Sequence, residues 1–582
     1  MVLVFGLLPL VVAVAGLDKF RTPKDIVITS AIPLLAVICL AGSSFGMCLG
    51  VFEWTVLGAA AYVLIHAFFL GGMETAVTVC LFALWLLLLS RLMSWQFQRR
   101  VWLVAGVSLS INSVANVVQY FGKFPWMLQE GGKAMSGRLT PAGLLGDVGS
   151  GAILFGLMVL VSIYFLFFAR PQWLRVAWLF IFLFNLTGLL FTRTITASLA
   201  LGGCLLLWLG FHHWWVFKRQ PRSLRRLAPL WIALLLVIGL SATFAVQSKL
   251  WERVGRASRQ AMSGSLELAT GGRYGVYLIT WDMIKDRPLA GHGLTSFAPV
   301  FYHQRTETRY GRTVALLPQP GAFRQAHNEY LQTWAELGLS GLLLLAGLLG
   351  FSLFSAVRRS LREADPQRCY WAAILALSLI YFLVASLTMF PLHVSSTAIF
   401  ITLIVGSIRH LDQYGFEEEG AGAGGGTGRP RRLLAVIALV LALPLFYGQY
   451  RKWQANNSLG LAAFLLEGAS RQNLNARQLR RVATRAMALL ESAESVRSGF
   501  PELHSLRGSA AYFLGRYQLA EASYRKAIER IPSPETMTNL AAALIAQNDC
   551  EKAKPYLQSA LHYNGMYREA TAARHYCRGQ RQ

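Results

Sequence analysis

Acidic residues are scarce in this chain. Among 582 residues there are 29 Asp or Glu against 55 Lys or Arg, and charged residues of both signs make up only 14%. With 54% hydrophobic residues, the sequence is too apolar and too long for one soluble domain. The seven cysteines form no CxxC pair and no Cys/His cluster, which argues against a structural zinc. Walker, HExxH and GxSxG motifs are missing, and so is any acidic metal-binding cluster. A P-loop nucleotidase, a zinc peptidase and a serine hydrolase are therefore not expected. GHG at 291–293 is too short for a nucleotide loop and reads as a turn. The net charge of +26 sits on no soluble basic fold, so nucleic acid is not the expected partner.

What the chain has instead is a series of apolar runs near the length that crosses a bilayer core. Candidate spans lie near 2–17, 26–42, 51–70, 74–93, 101–120, 149–169, 172–190, 194–213, 229–246, 333–356, 370–389, 394–410 and 432–448. All are expected to be helical, because lipid offers no partner for open backbone groups. No basic segment precedes the first run and many spans follow it, so it reads as a retained span rather than a signal peptide. Basic residues gather in every second short loop: Arg91, Arg99 and Arg100; Arg170 and Arg175; Lys218, Arg219, Arg222, Arg225 and Arg226; Arg358, Arg359, Arg362 and Arg368. That pattern puts those loops and the N-terminus in the cytoplasm. The first loop, where Lys19, Arg21 and Lys24 are offset by Asp18 and Asp25, fits less well. The expected divisions are transmembrane helices over 1–246, a large extracytoplasmic loop over 247–332 and further spans over 333–410. A Gly-rich cytoplasmic linker (411–431), a last span (432–448) and an extracytoplasmic soluble domain (449–582) follow.

The last segment is polar, rich in Ala and Arg, and helical in period. Gly508, Gly515, Tyr517, Ala520, Tyr524, Ala527 and Pro532 fall at the offsets of a tetratricopeptide repeat. A second copy places Ala541, Asn548, Ala553, Leu557 and Ala560, and a degenerate earlier one Ala486 and Ala493. Small residues there let paired helices approach closely and share a core. The expected fold class is all-α, a polytopic membrane protein of about 12–13 spans with a C-terminal helical-repeat domain. Cys39, Cys48, Cys80, Cys204 and Cys369 read as buried thiols, whereas Cys550 and Cys577 could pair if the repeats lie outside the cytoplasm.

The loop carries the chemistry. From 247 to 326 it holds eleven Lys or Arg against five acids, on the side where the topology rule asks for no positive charge. An anionic substrate at the membrane surface accounts for that excess. In HNEYLQTWAELG, residues 327, 331 and 334 share a helical face. Pro318, Pro320 and Gly321 precede them, so the helix is expected to begin near Gln325 with His327 in its first turn. An imidazole there would meet free amides and can exchange a proton near neutral pH. Arg273 follows a Gly-Gly turn and opens an amphipathic segment; its planar fork suits two phosphate oxygens. Arg193 lies at the outer mouth between two spans, where an ionisable group is a functional candidate by default. His327, Arg273 and Arg193 are the expected catalytic residues. Asn328, Arg138, Arg324 and Arg287 are the expected substrate-binding ones, and His393 could face the same cavity.

At these residues the chain resembles the O-antigen ligase and polymerase superfamily of bacterial envelope proteins. That family's large loop opens with an Arg, runs through a W…P..G.G...F segment and closes on H-N-x-x-L…E-x-G. Here the series is Arg273, Trp281, Pro288, Gly291, Gly293, Phe297, His327, Asn328, Leu331, Glu336 and Gly338. Asp18, Phe20, Pro23 and Lys24, the QYFG at 119–122, and the GRLT and GLLG at 137–140 and 143–146 are similar too. Many members continue the last segment as G-N-P-N, whereas this chain reads GDVG. The resemblance, over about 1–410, implies a GT-C-like glycosyltransferase of the bacterial inner membrane. It would move a glycan from undecaprenyl diphosphate to an acceptor hydroxyl at the periplasmic face, without metal or cofactor. His327 would then assist at the acceptor, and Arg193 and Arg273 would hold the leaving diphosphate. The acceptor would be lipid A-core (a ligase, the leading reading), another repeat unit (a polymerase), or a Ser or Thr of a protein such as pilin. Membrane lipids and a protein docked on the repeats are further partners. A non-enzymatic scaffold or transporter is the alternative, and the nearly uncharged span centres and the lack of an inverted repeat count against it.

Overall fold

The structure is a computed structural model. It describes residues 8–11, 21–42, 50–92, 94–122, 142–219, 250–264, 270, 273–301, 325–414, 429–471, 474–496, 500, 502–563 and 568–579. Among the described residues the regular elements are all helical. The membrane part comprises α1 (Arg21–Gly42), α2 (Val51–Leu70), α3 (Met73–Leu92), α4 (Trp95–Tyr120), α5 (Val148–Phe168), α6 (Gln172–Thr192) and α7 (Ile195–Arg219). Two loop helices follow, α8 (Leu250–Met262) and α9 (Arg273–Asp286). The chain then returns as α10 (Glu329–Arg362), α11 (Pro366–Ala385) and α12 (Ser395–Tyr414). Helix α13 (Arg429–Arg471) leads to α14 (Ala476–Val496), α15 (Leu503–Phe513), α16 (Tyr517–Arg530), α17 (Pro534–Ile545), α18 (Cys550–Tyr563) and α19 (Arg568–Gly579).

Eight of the described helices, α2 to α7, α10 and α11, are long and apolar enough to cross a membrane. Of the expected span 2–17 only residues 8–11 are described, with a 3-10 turn at Leu8–Leu10; 229–246 and the Gly-rich stretch 420–428 lie outside the described residues. The expected span 432–448 is one part of α13, which continues without interruption into the repeats.

Helices α5 and α11 form the centre of the bundle. Buried residues make up 83% of the apolar stretch of α5 and 78% of that of α11, against 22% for α10, so the other helices ring these two. Gly156 lets the Tyr381 ring lie directly on α5, and the Tyr381 hydroxyl donates to Ala152 O at 2.8 Å. A small residue at the crossing and a hydroxyl satisfied by a neighbouring carbonyl are how helices associate where lipid removes the hydrophobic drive. Local signals set the helix starts. Ser94, Asp147, Asn328 and Asp365 each accept an N-terminal amide, and Pro366 occupies the first turn of α11.

The alternating connections define two ends. One end gathers the starts of α1, α5 and α10, the α2–α3 and α6–α7 turns, and the 3-10 turn Pro391–His393 between α11 and α12. The other gathers the basic residues Arg99, Arg170, Arg175, Arg358, Arg362 and Arg368, and there Arg409 pairs with buried Glu53 at 3.2 Å.

The repeats stack as hairpins α13–α14, α15–α16 and α17–α18, closed by α19. Ala486, Ala493, Ala520, Ala541, Ala553, Leu557 and Ala560 are all buried, as the repeat offsets predict. Gly515 and Asn548, 33 residues apart, both take positive φ (75° and 61°) at the corner of a hairpin, the conformation Gly and Asn tolerate best. Cys550 and Cys577 form a disulfide that ties α19 to α18. The apolar core of the repeats continues into the loop: Val276, Ile279, Phe297 and Phe301 join Ala455, Leu459 and Leu466 of α13 in one cluster. Cys204 and Cys369 are buried and Cys80 half-buried.

Candidate active site

The site begins with a broken helix. Within α10, Gly338 adopts φ 72° and ψ −178°, so a short segment, Glu329 to Leu337, precedes the apolar run. The chain at Pro288–Gly293 lies across this break. His292 N donates to Ala335 O, Gly293 N to Glu336 O and Leu339 N to Pro288 O, each at 2.9 Å. Trp334 Nε1 donates to Pro288 O at 2.9 Å, and its ring meets that of Trp281 edge-on at 5.6 Å. A Cβ on Gly338 would collide with Leu289 O, and one on Gly293 would lie 2.5 Å from Leu70 O. The W…P..G.G...F and E-x-G motifs are thus two halves of one backbone-to-backbone joint. GHG itself lies as a bend between turns at 288–290 and 294–295, rather than as the turn expected.

That joint holds the residues before α10. The helix starts at Glu329, not near Gln325. Asn328 is its cap: Oδ1 accepts from Leu331 N and Nδ2 donates to Leu387 O, both at 3.0 Å. Both arms of Asn328 are therefore used within the chain. His327 precedes the cap in the left-handed region, φ 52°. The first-turn placement is corrected for this reason: an Asn followed by an acidic residue is the stronger start signal. The His327 carbonyl accepts from the Tyr277 hydroxyl at 3.1 Å, and its ring meets Phe390 edge-on at 5.1 Å. Burial first, and then the Arg273 guanidinium, push its pKa down to about 4, with Asp147 opposing. The imidazole is neutral at pH 7.

Arg273 opens α9 on the face toward His327, partly buried. Arg193 terminates α6, also with positive φ (58°), half-buried at the same end of the bundle. Arg287 lies exposed just beyond α9. Arg138 and Arg324 lie outside the described residues. A left-handed conformation is uncommon for a residue such as Arg and less so for His; for Arg193 it persists only where surrounding contacts impose it, as happens often at working sites.

Two further features go beyond the expected site residues. One is Asp147, which caps α5 and acts on His327. The other is a buried clasp around His393. His393 Nδ1 lies 2.9 Å from Glu329 Oε1 and Nε2 lies 3.6 Å from Glu336 Oε2, with both carboxylates nearly fully buried. Leu392 N donates to Glu329 at 2.9 Å and Phe297 N to Glu336 at 3.3 Å. Burial would lower the His393 pKa, but the two carboxylates outweigh it and hold it up at about 10. The clasp joins the 3-10 turn, the short segment of α10 and the loop. Its sequence signal was weak, because the partners are some 60 residues apart.

The clasp also forms the polar mouth of a cavity of about 460 Å³. Gln325, Gln332 and Glu336 line that mouth, and Val56, Phe82, Leu86, Leu345, Leu349 and Val405 wall its depth. From Glu74 to Leu86 along α3 the slot descends about 18 Å, at 1.5 Å per helical residue. Among the described residues no group of His, Cys, Asp and Glu is placed to hold a metal.

The fold and the site define a multi-pass, all-α membrane protein with an apolar, polar-mouthed chamber at one end and a helical-repeat arm packed against its loop. The family model described as O-antigen ligase matches residues 180–346, the stretch that contains Arg193, Arg273 and His327. A tetratricopeptide repeat model matches residues 501–534, on α15 and α16. No curated protein matches the chain. The family supports a membrane glycan-transferring function and agrees with the resemblance read from the residues.

Proposed function

We propose that this protein is a metal-independent glycosyltransferase of the O-antigen ligase type in the bacterial inner membrane. It takes a glycan from undecaprenyl diphosphate and attaches it to a hydroxyl of lipid A-core at the periplasmic face. The observation that carries the reading is His327, held neutral and left-handed beside Arg273 at the mouth of the bundle. A neutral, partly buried imidazole has a free lone pair with which to accept a proton. In the reaction the acceptor oxygen bonds to the anomeric carbon as that carbon's bond to the diphosphate breaks. The hydroxyl proton passes to His327. The charge that develops on the leaving diphosphate falls to Arg273 and Arg193, which need no metal to neutralise it. The apolar slot beside the clasp suits an isoprenoid chain, and its mouth opens where the sugar would be presented. The basic residues at the opposite end support a periplasmic orientation for the site. The Cys550–Cys577 disulfide supports the same side for the repeats, since disulfides persist in oxidising compartments.

A deletion strain complemented with wild-type or His327→Ala protein tests this. The deletion and the variant should both lose long-chain lipopolysaccharide while polymer accumulates on the lipid carrier. Caps of a single repeat would mean a polymerase. Normal lipopolysaccharide with unmodified pilin would mean protein glycosylation. Normal glycans of every kind, with the variant present in the membrane, would overturn the assignment.

A further inference from the structure

We propose that Asp147 is a positioning residue that faces His327 and counterbalances Arg273 as the acceptor proton moves. This rests on the transferase reading above and names a further member of that site.

The placement begins with a buried polar network whose contacts converge on one turn. Gln119 Oε1 accepts from Ala142 N (2.7 Å) and Gly143 N (2.8 Å). Asn112 Oδ1 accepts from Leu144 N at 3.2 Å while its amide donates to Pro9 O at 2.9 Å. Lys24 Nζ donates to Leu144 O at 2.7 Å and to Val11 O at 2.9 Å. Lys24, Asn112 and Gln119 are each at most 1% exposed. Buried polar groups this well satisfied specify one arrangement of the chain they hold. The PK, QYFG and GLLG segments of the sequence therefore meet at residues 142–146, and the residue delivered next is Asp147.

The Asp147 carboxylate is itself held. Its Oδ2 accepts from Ser150 N and from Ser150 Oγ, both at 2.6 Å. It lies beside the α11–α12 turn: the position of a Cβ on Gly149 would be 3.3 Å from Asp147 Oδ2 and 3.6 Å from Met389 Sδ. The residue after Met389, Phe390, is the one whose ring meets His327. The groups around the imidazole are thus Arg273 and Tyr277 from α9, Phe390 from the turn, Asp147 from the start of α5, and Glu329 on its own segment, which His393 engages. When His327 takes the acceptor proton, an imidazolium forms beside a guanidinium. A carboxylate held on the other side offsets that repulsion, as the third member of a nucleophile–base–carboxylate array does.

Asp147→Asn separates this role from capping, because Asn caps a helix about as well as Asp. Full-length protein in nanodiscs, with His rings isotope-labelled and the His327 signal assigned against His327→Gln, gives the ring's titration midpoint by NMR without substrate. The Asp147→Asn change should lower that midpoint by about one unit. The same step should lower it in an Arg273→Gln background, where the midpoint starts higher and acid unfolding is avoided. The turnover rate for glycan transfer should fall roughly tenfold with KM unchanged. An unchanged midpoint in both backgrounds would overturn the proposal. So would equal loss of activity and thermal stability in Asp147→Asn and Asp147→Ala, which marks a cap alone. A midpoint shift in a protein that transfers no glycan would strike the transferase reading and leave the pairing standing.

Discussion

The chamber and the repeat arm solve the same packing problem by opposite means. In the repeats, helices approach through alanines, and the hairpin corners that need positive φ carry Gly515 and Asn548, residues that accept it. In the membrane part the positive-φ positions include Arg193 and Thr295, for which it is strained, and His327, which accepts it more readily, beside Gly291, Gly293 and Gly338 at the joint. The repeats keep their ion pairs near the surface, such as Arg507–Glu494 and Lys554–Glu551, where each contributes at most about 1 kcal/mol. The chamber buries Glu329 and Glu336 and holds them with one histidine. One region is built from relaxed parts that tolerate exchange. The other holds strained and desolvated groups in place by contacts from separate chain segments. Desolvated and strained groups cluster at functional sites, and on the function proposed above the difference separates catalyst from scaffold within a shared apolar core.

The sharpest break in that comparison is at the imidazole. His327→Ala should lower transfer by about 10²–10⁴-fold, the usual contribution of a positioned acid–base group. Arg273→Gln should cost about 10²-fold, as expected for one donor to developing charge. Both proteins should unfold at nearly the wild-type temperature, since neither side chain carries the fold. In vitro transfer from a lipid-linked glycan, with unfolding followed in detergent, checks both. Retained activity in both would remove the chamber from the chemistry.

Next comes the joint. Gly338→Ala places a methyl group against Leu289 O, a backbone atom with no room to move, at a φ that Ala resists. A cost of about 3 kcal/mol or more follows from the strain and the overpacking together. The expected outcome is loss of the folded loop, read as heightened proteolysis between Arg273 and Gly338 and loss of transfer, with the protein still inserted. Wild-type proteolysis would show that the joint is not what positions His327.

Much of this was legible before the structure. The apolar runs and the repeat offsets follow from spacing and charge, because those signals are local; His327, Arg273 and Arg193 stand out by the same signals, but the roles proposed for them come from the family resemblance. The start of α10 was misplaced although its signal was present, in Asn328 followed by Glu329. The prolines upstream of it drew the start too early. Asp147 was visible only as a departure from a pattern, and its D-x-x-S capping signature says nothing about a partner 180 residues away. His393 could be singled out as an ionisable group in a short outer loop, but its clasp could not. Glu329 and Glu336 are ordinary residues of a separate segment, and only the folding of α10 against the α11–α12 turn makes the three a unit.

The clasp adds a pH signature to the membrane part. His393 holds its proton more tightly in the folded chain, with a pKa of about 10, than in the unfolded chain, near 6.5. Its contribution to stability is therefore complete below pH 6.5 and is lost as pH rises through 10. His327, lowered to about 4, works in the opposite sense: its contribution is complete above 6.5 and is lost as pH falls through 4. The unfolding temperature of the membrane part should fall between pH 7 and 10, and His393→Gln should flatten that slope while lowering stability at pH 7. An unchanged alkaline slope in the variant would show that another group supplies it.

The smallest expected effect uses the same Gly-to-Ala change in the repeat arm. Gly508 lies in the middle of α15, and a Cβ there would lie 2.6 Å from the Tyr524 ring. The obstacle is a side chain rather than a carbonyl, in a ring that is itself buried and hydrogen-bonded to Ser509 at 3.1 Å. Overpacking costs about 1–3 kcal/mol. The gain of Ala over Gly within a helix returns about 0.5–1 kcal/mol. A net loss near ~1 kcal/mol should appear as a small drop in the unfolding temperature of the repeats, with glycan transfer within about twofold of wild type. A larger fall in transfer would mean that the apolar cluster joining Phe297 and Phe301 to Ala455 and Leu459 carries strain from the arm into the chamber. The arm would then be part of the catalytic support, and the contrast between the two regions would have to be redrawn at α13 rather than at the membrane surface.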